Sequence, residues 1–235
     1  NYIVNQPMKT TARGFFLLLF SLNVLPGIGQ TCIYLAEDIY PGSFGSAPTL
    51  LTEYGSAFYF SCTGNGNGTE FWKYENGSAT MVADIYPGFL SSSPNDFTVV
   101  GSDLYFTANN GVNGKELWRY DGTTAVMVAD VYPGSNTSMP ENLTAVGTDL
   151  YFTANNGLTG KELWKFDGTT ASLIADLNPG IAPSGPAEIT AVGGNVYFTA
   201  NNGVNGLELY KYDGVTTTLI DINPGATGSD PDELT

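Results

Sequence analysis

The sequence predicts an all-β fold, a β-propeller made of four-stranded antiparallel blades. Three observations predict it. The first is an internal repeat: Asp84, Asp130 and Asp176 each open an Asp-x-x-Pro-Gly unit and stand 46 residues apart, with Asp38 one step earlier and Asp221 one residue short of the next. Trp72, Trp118, Trp164 and then Tyr210 keep the same step, as do Pro48, Pro94, Pro140 and Pro186. The second is that each repeat divides into short β-forming runs separated by two-residue turns. The third is that helical periodicity is absent from residues 30–235 while Gly or Pro punctuates every unit. A period of this size, read as several strands, marks a stacked array in which one unit cannot bury its apolar face alone.

Taken in order, residues 1–7 precede Met8 and read as sequence upstream of the true start. Residues 8–29 read as a signal peptide. Lys9 and Arg13 supply its positive end, residues 15–25 its apolar stretch, and Gly27-Ile28-Gly29 the small residues before cleavage at Gln30. The apolar stretch is too short to span a bilayer, so no stable membrane insertion is expected. Residues 31–41 hold a single final strand of a blade, four full units follow, and residues 232–235 begin another first strand. The propeller region, 30–235, is thus expected to be an incomplete ring with partial blades at both ends.

The third repeat shows how a unit divides. Residues 142–146 form strand A, Gly147-Thr148 a turn, and residues 149–154 strand B. Residues 162–166 form strand C, Asp167-Gly168 a hairpin turn of type I′, and residues 170–175 strand D. Four antiparallel strands in a repeat of this length match a propeller blade.

Two segments carry a family resemblance. Glu162-Leu163-Trp164-Lys165-Phe166-Asp167-Gly168-Thr169 and Glu116-Leu117-Trp118-Arg119-Tyr120-Asp121-Gly122-Thr123 resemble the ELWxxDGT repeat family of exported bacterial proteins. Residues 70–77 and 208–215 are divergent copies, so the resemblance covers essentially the whole region after residue 30. The strand order is also similar to kelch propellers, with Asn-Asn-Gly where kelch has paired glycines. The resemblance implies a propeller used outside the cell.

Composition narrows the function. The chain has 8 basic and 23 acidic residues and a net charge of −15. With Lys9 and Arg13 in the signal segment, the remainder is more acidic still, and such a surface repels nucleic acid and anionic membranes. The chain has no histidine, which removes the commonest general base and transition-metal ligand. Cys32 and Cys62 could be oxidised in an exported chain but fall on strands of different blades, which makes them a poor staple, and they are expected to be buried free thiols. Sequons begin at Asn67, Asn76, Asn136 and Asn142.

Antiparallel strands put the A–B and C–D turns on one rim and the longer B–C and D–A loops on the other. The second rim therefore gathers Asn109, Asn110, Asn155 and Asn156 with Tyr86 and Tyr132, the candidate contacts for an extracellular carbohydrate or protein ligand. It also gathers Asp84, Asp130, Asp176, Glu116 and Glu162, oxygen donors of the type calcium takes. Each has a structural alternative: Asp closes a turn ahead of Pro-Gly, Asn tolerates left-handed backbone, and the tryptophans fill the space between blades. No catalytic residue is assigned, because catalysis needs a one-off constellation. The repeat is broken only mildly, by Cys62 for Ala108, Leu207 for Lys161 and Glu75 for Asp121. The expected function is binding or adhesion by a secreted or cell-surface protein; the alternative is a propeller hydrolase or lyase acting on polysaccharide, with its unique residues on other blades.

Overall fold

The structure is a computed structural model that describes residues 37–41 and 45–234. The expected upstream residues, signal peptide, Cys32 and most of the lone amino-terminal strand lie outside these. Among the described residues there is no helix, and none long and apolar enough to cross a membrane.

Among the described residues sixteen strands form four separate antiparallel sheets, each with its strands in sequence order. Blade 1 holds β1 (Thr49–Tyr54), β2 (Ala57–Thr63), β3 (Thr69–Glu75) and β4 (Ser78–Ala83). Blade 2 holds β5 (Asn95–Val100), β6 (Asp103–Asn109), β7 (Lys115–Tyr120) and β8 (Ala125–Ala129). Blade 3 holds β9 (Glu141–Val146), β10 (Asp149–Asn155), β11 (Lys161–Phe166) and β12 (Ala171–Ala175). Blade 4 holds β13 (Ala187–Val192), β14 (Asn195–Asn201), β15 (Leu207–Tyr212) and β16 (Thr217–Ile220). The four strands read from the third repeat agree with β9 to β12 within a residue.

Register repeats along with sequence. Phe106 pairs with Trp118 and Ala108 with Glu116 in blade 2; Phe152 pairs with Trp164 and Ala154 with Glu162 in blade 3. The first strand of blades 2, 3 and 4 carries a bulge where Asp96, Asn142 and Glu188 adopt positive φ. A left-handed residue cannot continue the pleat, so the ladder slips there.

Apolar alternation makes each blade two-faced, and the core lies between blades. One face of blade 2 carries Leu104, Phe106, Ala108 and Tyr120 and packs on Tyr59 and Phe71 of blade 1. The opposite face carries Val100, Tyr105 and Leu117 and packs on Leu150, Phe152, Ala154, Trp164 and Phe166 of blade 3. Tyr151 and Leu163 of blade 3 then meet Val196, Phe198, Ala200, Tyr210 and Tyr212 of blade 4. Blades 2, 3 and 4 thus each present a leading face of Leu/Val, Phe, Ala and an aromatic to the trailing face before it. Trp164 and Tyr210 are buried in these seams, whereas Trp72 and Trp118 are half-buried. The first strands neighbour one another in the order β1, β5, β9, β13, and β13 shares no comparable contact with β1. The four blades therefore form an open arc.

Candidate functional site

The loop-rich rim is ordered by two devices, one found in every blade and one in blades 2, 3 and 4. The first is the glutamate of the Glu-Leu-Trp segment. Its register across from Ala108 points Glu116 into the D–A loop that leaves its own blade. Val131 N donates to Glu116 Oε2 at 2.9 Å, Ser138 N to Oε1 at 2.8 Å and Ser138 Oγ to Oε2 at 2.5 Å. Glu70 does the same with Ile85 and Ser92, Glu162 with Leu177 and Ser184, and Glu208 with Ile222 and Ser229. All four side chains are solvent-inaccessible. A buried carboxylate persists when its lone pairs are met by donors, and here the donors are the loop's own N–H groups.

Burial pushes the carboxyl of Glu70, Glu116 and Glu162 upward, opposed by the serine hydrogen bonds. Glu208 moves the other way. Its serine partner is only part-buried and no described blade follows, so the Ser229 hydroxyl outweighs burial and lowers the carboxyl.

The second device is the asparagine link between strands B and C. Asn109 Oδ1 accepts from Gly111 N at 2.7 Å, and Asn110 Oδ1 accepts from Val112 N and Asn113 N at 2.9 and 2.8 Å. Asn113 Nδ2 then donates to Asp130 Oδ2 at 2.8 Å, tying the link to the D–A loop. Asn155 and Asn156 bind Gly157, Leu158 and Thr159 in the same way. Thr159 stands where Asn113 does and cannot reach across, so Asp176 Oδ2 instead accepts from Gly180 N. The Asn–Asp tie returns in blade 1 as Asn67 to Asp84 and in blade 4 as Asn205 to Asp221.

The tyrosines sit where neighbouring blades meet, and are half-buried instead of freely exposed. The ring of Tyr86, from the loop leaving blade 1, lies over Gly111 of blade 2 so closely that a Cβ there would enter it; Tyr132 lies over Gly157 of blade 3 likewise. Asn178 takes the place against Gly203, with Oδ1 2.7 Å from where a Cβ would stand.

These partners bear on the expected calcium ligands. Both oxygens of Glu116 and Glu162, and the Oδ1 atoms of Asn109, Asn110, Asn155 and Asn156, already accept hydrogen bonds from the chain. Of the residues expected to bind calcium, Asp84, Asp130 and Asp176 each keep one enclosed oxygen, Oδ1, without a hydrogen-bond partner. Among the described residues no group of three or more Asp, Glu, Cys or His is placed to hold a metal ion. The single described thiol, Cys62, is buried and free, and burial pushes it up to about 11, so it carries little thiolate.

What remains open on the rim is its tips. Val112, Leu158 and Val204 cap the B–C links at 69%, 74% and 70% exposure, and Phe89 and Ile181 cap D–A loops at 87% and 82%. The serines were not picked out by sequence reasoning, although a signal exists. Ser92, Ser138, Ser184 and Ser229 each stand two residues before a proline, in register with the Glu-Leu-Trp copies.

Sheet order and blade packing define the chain as a β-propeller domain. No family model matches the sequence, and no curated protein matches it. Solved structures do. The chain is similar to a Mycobacterium tuberculosis puromycin-hydrolyzing peptidase (TM-score 0.56, 13% identity, 83% of this chain and 34% of that one). It is also similar to a puromycin hydrolase (TM-score 0.52, 14% identity, 82% of this chain and 30% of that one). A third similarity is to the β-propeller domain of the Trilobed protease from Pyrococcus furiosus (TM-score 0.47, 14% identity, 74% and 55%). The chain thus spans 30% to 55% of the length of these proteins. At such identity the likeness is one of fold.

Proposed function

We propose that this protein is a non-catalytic binding module, exported and acting in adhesion through the loop-rich rim, with a protein surface as its ligand. The observation that carries the reading is the contrast within each loop. Backbone and polar side chains are tied down by the glutamate and asparagine devices, while the links of blades 2, 3 and 4 each leave one apolar side chain, Val112, Leu158 or Val204, outside. A rigid frame holding a row of apolar tips keeps the entropy cost of association low. Most tips are aliphatic, and the tyrosines that would offer flat platforms to sugars are engaged between blades. The similarity to ELWxxDGT repeats and the signal-like residues 8–29 support export.

The test is solid-phase binding of the protein to a panel of extracellular matrix proteins and to a glycan array, beside a Val112→Asp/Leu158→Asp/Val204→Asp variant and a Thr123→Ala/Thr169→Ala control on the opposite rim. Saturable binding to a protein, lost in the first variant and kept in the second, is the expected result. Binding indifferent to the tips, or turnover of a polysaccharide, would overturn the reading.

A further inference from the structure

The trailing face of blade 4 has the chemistry of an inter-blade seam without a blade on it. In blade 2 the corresponding side chains Val100, Tyr105, Leu117 and Val131 are exposed by 7%, 4%, 0% and 8%. In blade 4 Val192 and Ile222 are exposed by 54% and 58%, and Tyr197 and Leu209 are half-buried.

Residues 229–234, held by Leu207 O, Glu208 and Thr190, already adopt the conformation that leads into a first strand. At the start of each first strand two residues adopt positive φ, one just before it and one as its second residue: Ala47 and Leu50 (42° and 61°), Ser93 and Asp96 (47° and 56°), Met139 and Asn142 (46° and 58°), Gly185 and Glu188 (57° and 52°). Asp230 and Glu233 repeat the pair at 47° and 55°. Such values are uncommon in non-glycine residues, so recurrence at matching positions is a specific signature. The seam hydrogen bond recurs too. Thr98 Oγ1 of blade 2 donates to Leu143 O of the next first strand at 3.0 Å, and Thr190 Oγ1 of blade 4 donates to Leu234 O at 2.6 Å. Ser229 is latched to Glu208 like its counterparts.

From this continuity with three established seams we propose that the trailing face of blade 4, lined by Val192, Tyr197, Leu209 and Ile222, is a docking surface for a fifth blade of the same repeat on the same polypeptide, entered through Asp230 to Leu234. The chemistry required of that blade is the leading face seen three times: Leu or Val, Phe and Ala on its second strand and Trp or Tyr on its third.

The experiment supplies such a blade. The chain is extended after Thr235 with a copy of its own residues 191–234, and the urea midpoint and amide deuterium exchange are compared with the parent. The expected result is a midpoint shifted to higher urea, with exchange in β14 and β15 slowed towards that of β10 and β11. In a Val192→Glu/Ile222→Glu background the parent's midpoint should hold, since both side chains are largely exposed, while the gain from extension is lost. An extension that exchanges as free chain and leaves the midpoint unmoved overturns the proposal, as does a gain that survives the double variant. Sedimentation showing the parent dimerising through this face, abolished by the double variant, would assign it to a second copy and also overturn it.

Discussion

Replacing Glu116 with alanine should destabilise the protein more than any single change on the rim's surface. The carboxylate receives Val131 N, Ser138 N and Ser138 Oγ within 2.5 to 2.9 Å, and both Glu116 and Ser138 are fully enclosed. Truncation leaves two backbone donors without acceptors, each costing about 1–3 kcal/mol when buried. Water entering the vacated space offsets part of this, since the site is polar and would hold it, and removal of a buried charge offsets a little more. The net expectation is a loss of about 3 kcal/mol. The Glu116→Gln variant should recover only part of it, because its amide NH2 must face at least one N–H. Urea unfolding followed by tryptophan fluorescence gives the global change, and amide exchange at Val131 and Ser138 gives the local one. A loss under about 1 kcal/mol, with both amides still protected, would refute the reasoning that the glutamate holds the D–A loop.

Gly157→Ala should cost about 2–3 kcal/mol, because its φ of 80° disfavours any side chain and the Cβ enters the Tyr132 ring. Adding Tyr132→Ala should relieve the collision but not the backbone strain, and a double-mutant cycle with no coupling would show that the ring does not rest there. The carboxyl titrations should have opposite signs. Glu116 is raised above its ordinary 4.5, so its folded state holds a proton that the unfolded state has released; its contribution is full below 4.5 and is lost as pH rises from there. Glu208 is lowered, so its contribution is full above 4.5 and is lost as pH falls below it. Carbon-13 NMR titration of the side-chain carboxyls should find Glu116 titrating at higher pH than Glu208, and the reverse order would mean that the covering blade does not control the shift.

Strands and blade count were legible because period-2 alternation and turn residues are local signals. Leu150-Tyr151-Phe152-Thr153 can only bury both faces between two sheets, and Asp167-Gly168 can only reverse the chain tightly. The seams were legible in part: the tryptophans were expected between blades, and Trp164 lies there. The roles of the rim residues were not legible, for a physical reason. Glu116 reads as a surface ligand in any linear inspection, since its partners Val131 N and Ser138 lie 15 and 22 residues away and two of the three donors are backbone groups with no letter in the sequence. Tyr132 likewise reads as exposed until the next blade brings Gly157 beneath its ring. Side chains that bind backbone across a loop are invisible to motif reading unless both ends repeat in register, as Glu116 and Ser138 do.

That repetition also separates frame from function inside one chain. Glu70, Glu116, Glu162 and Glu208 do not vary, nor do Ser92, Ser138, Ser184 and Ser229, and each variant would strand a buried group. The tips vary freely: Gly66, Val112, Leu158 and Val204 occupy one position, and Phe89, Ser135, Ile181 and Ala226 another. A position that changes size and polarity from blade to blade carries no packing duty, so its content is free to match something outside the protein. The two tip series lie on the same rim and their combination differs in every blade, which gives the arc an ordered sequence of surfaces instead of one surface repeated. If the rim binds as proposed, binding should therefore depend on which blade is altered, and moving the Phe89 side chain to position 135 by a Phe89→Ser/Ser135→Phe exchange should weaken it even though the composition of the rim is unchanged.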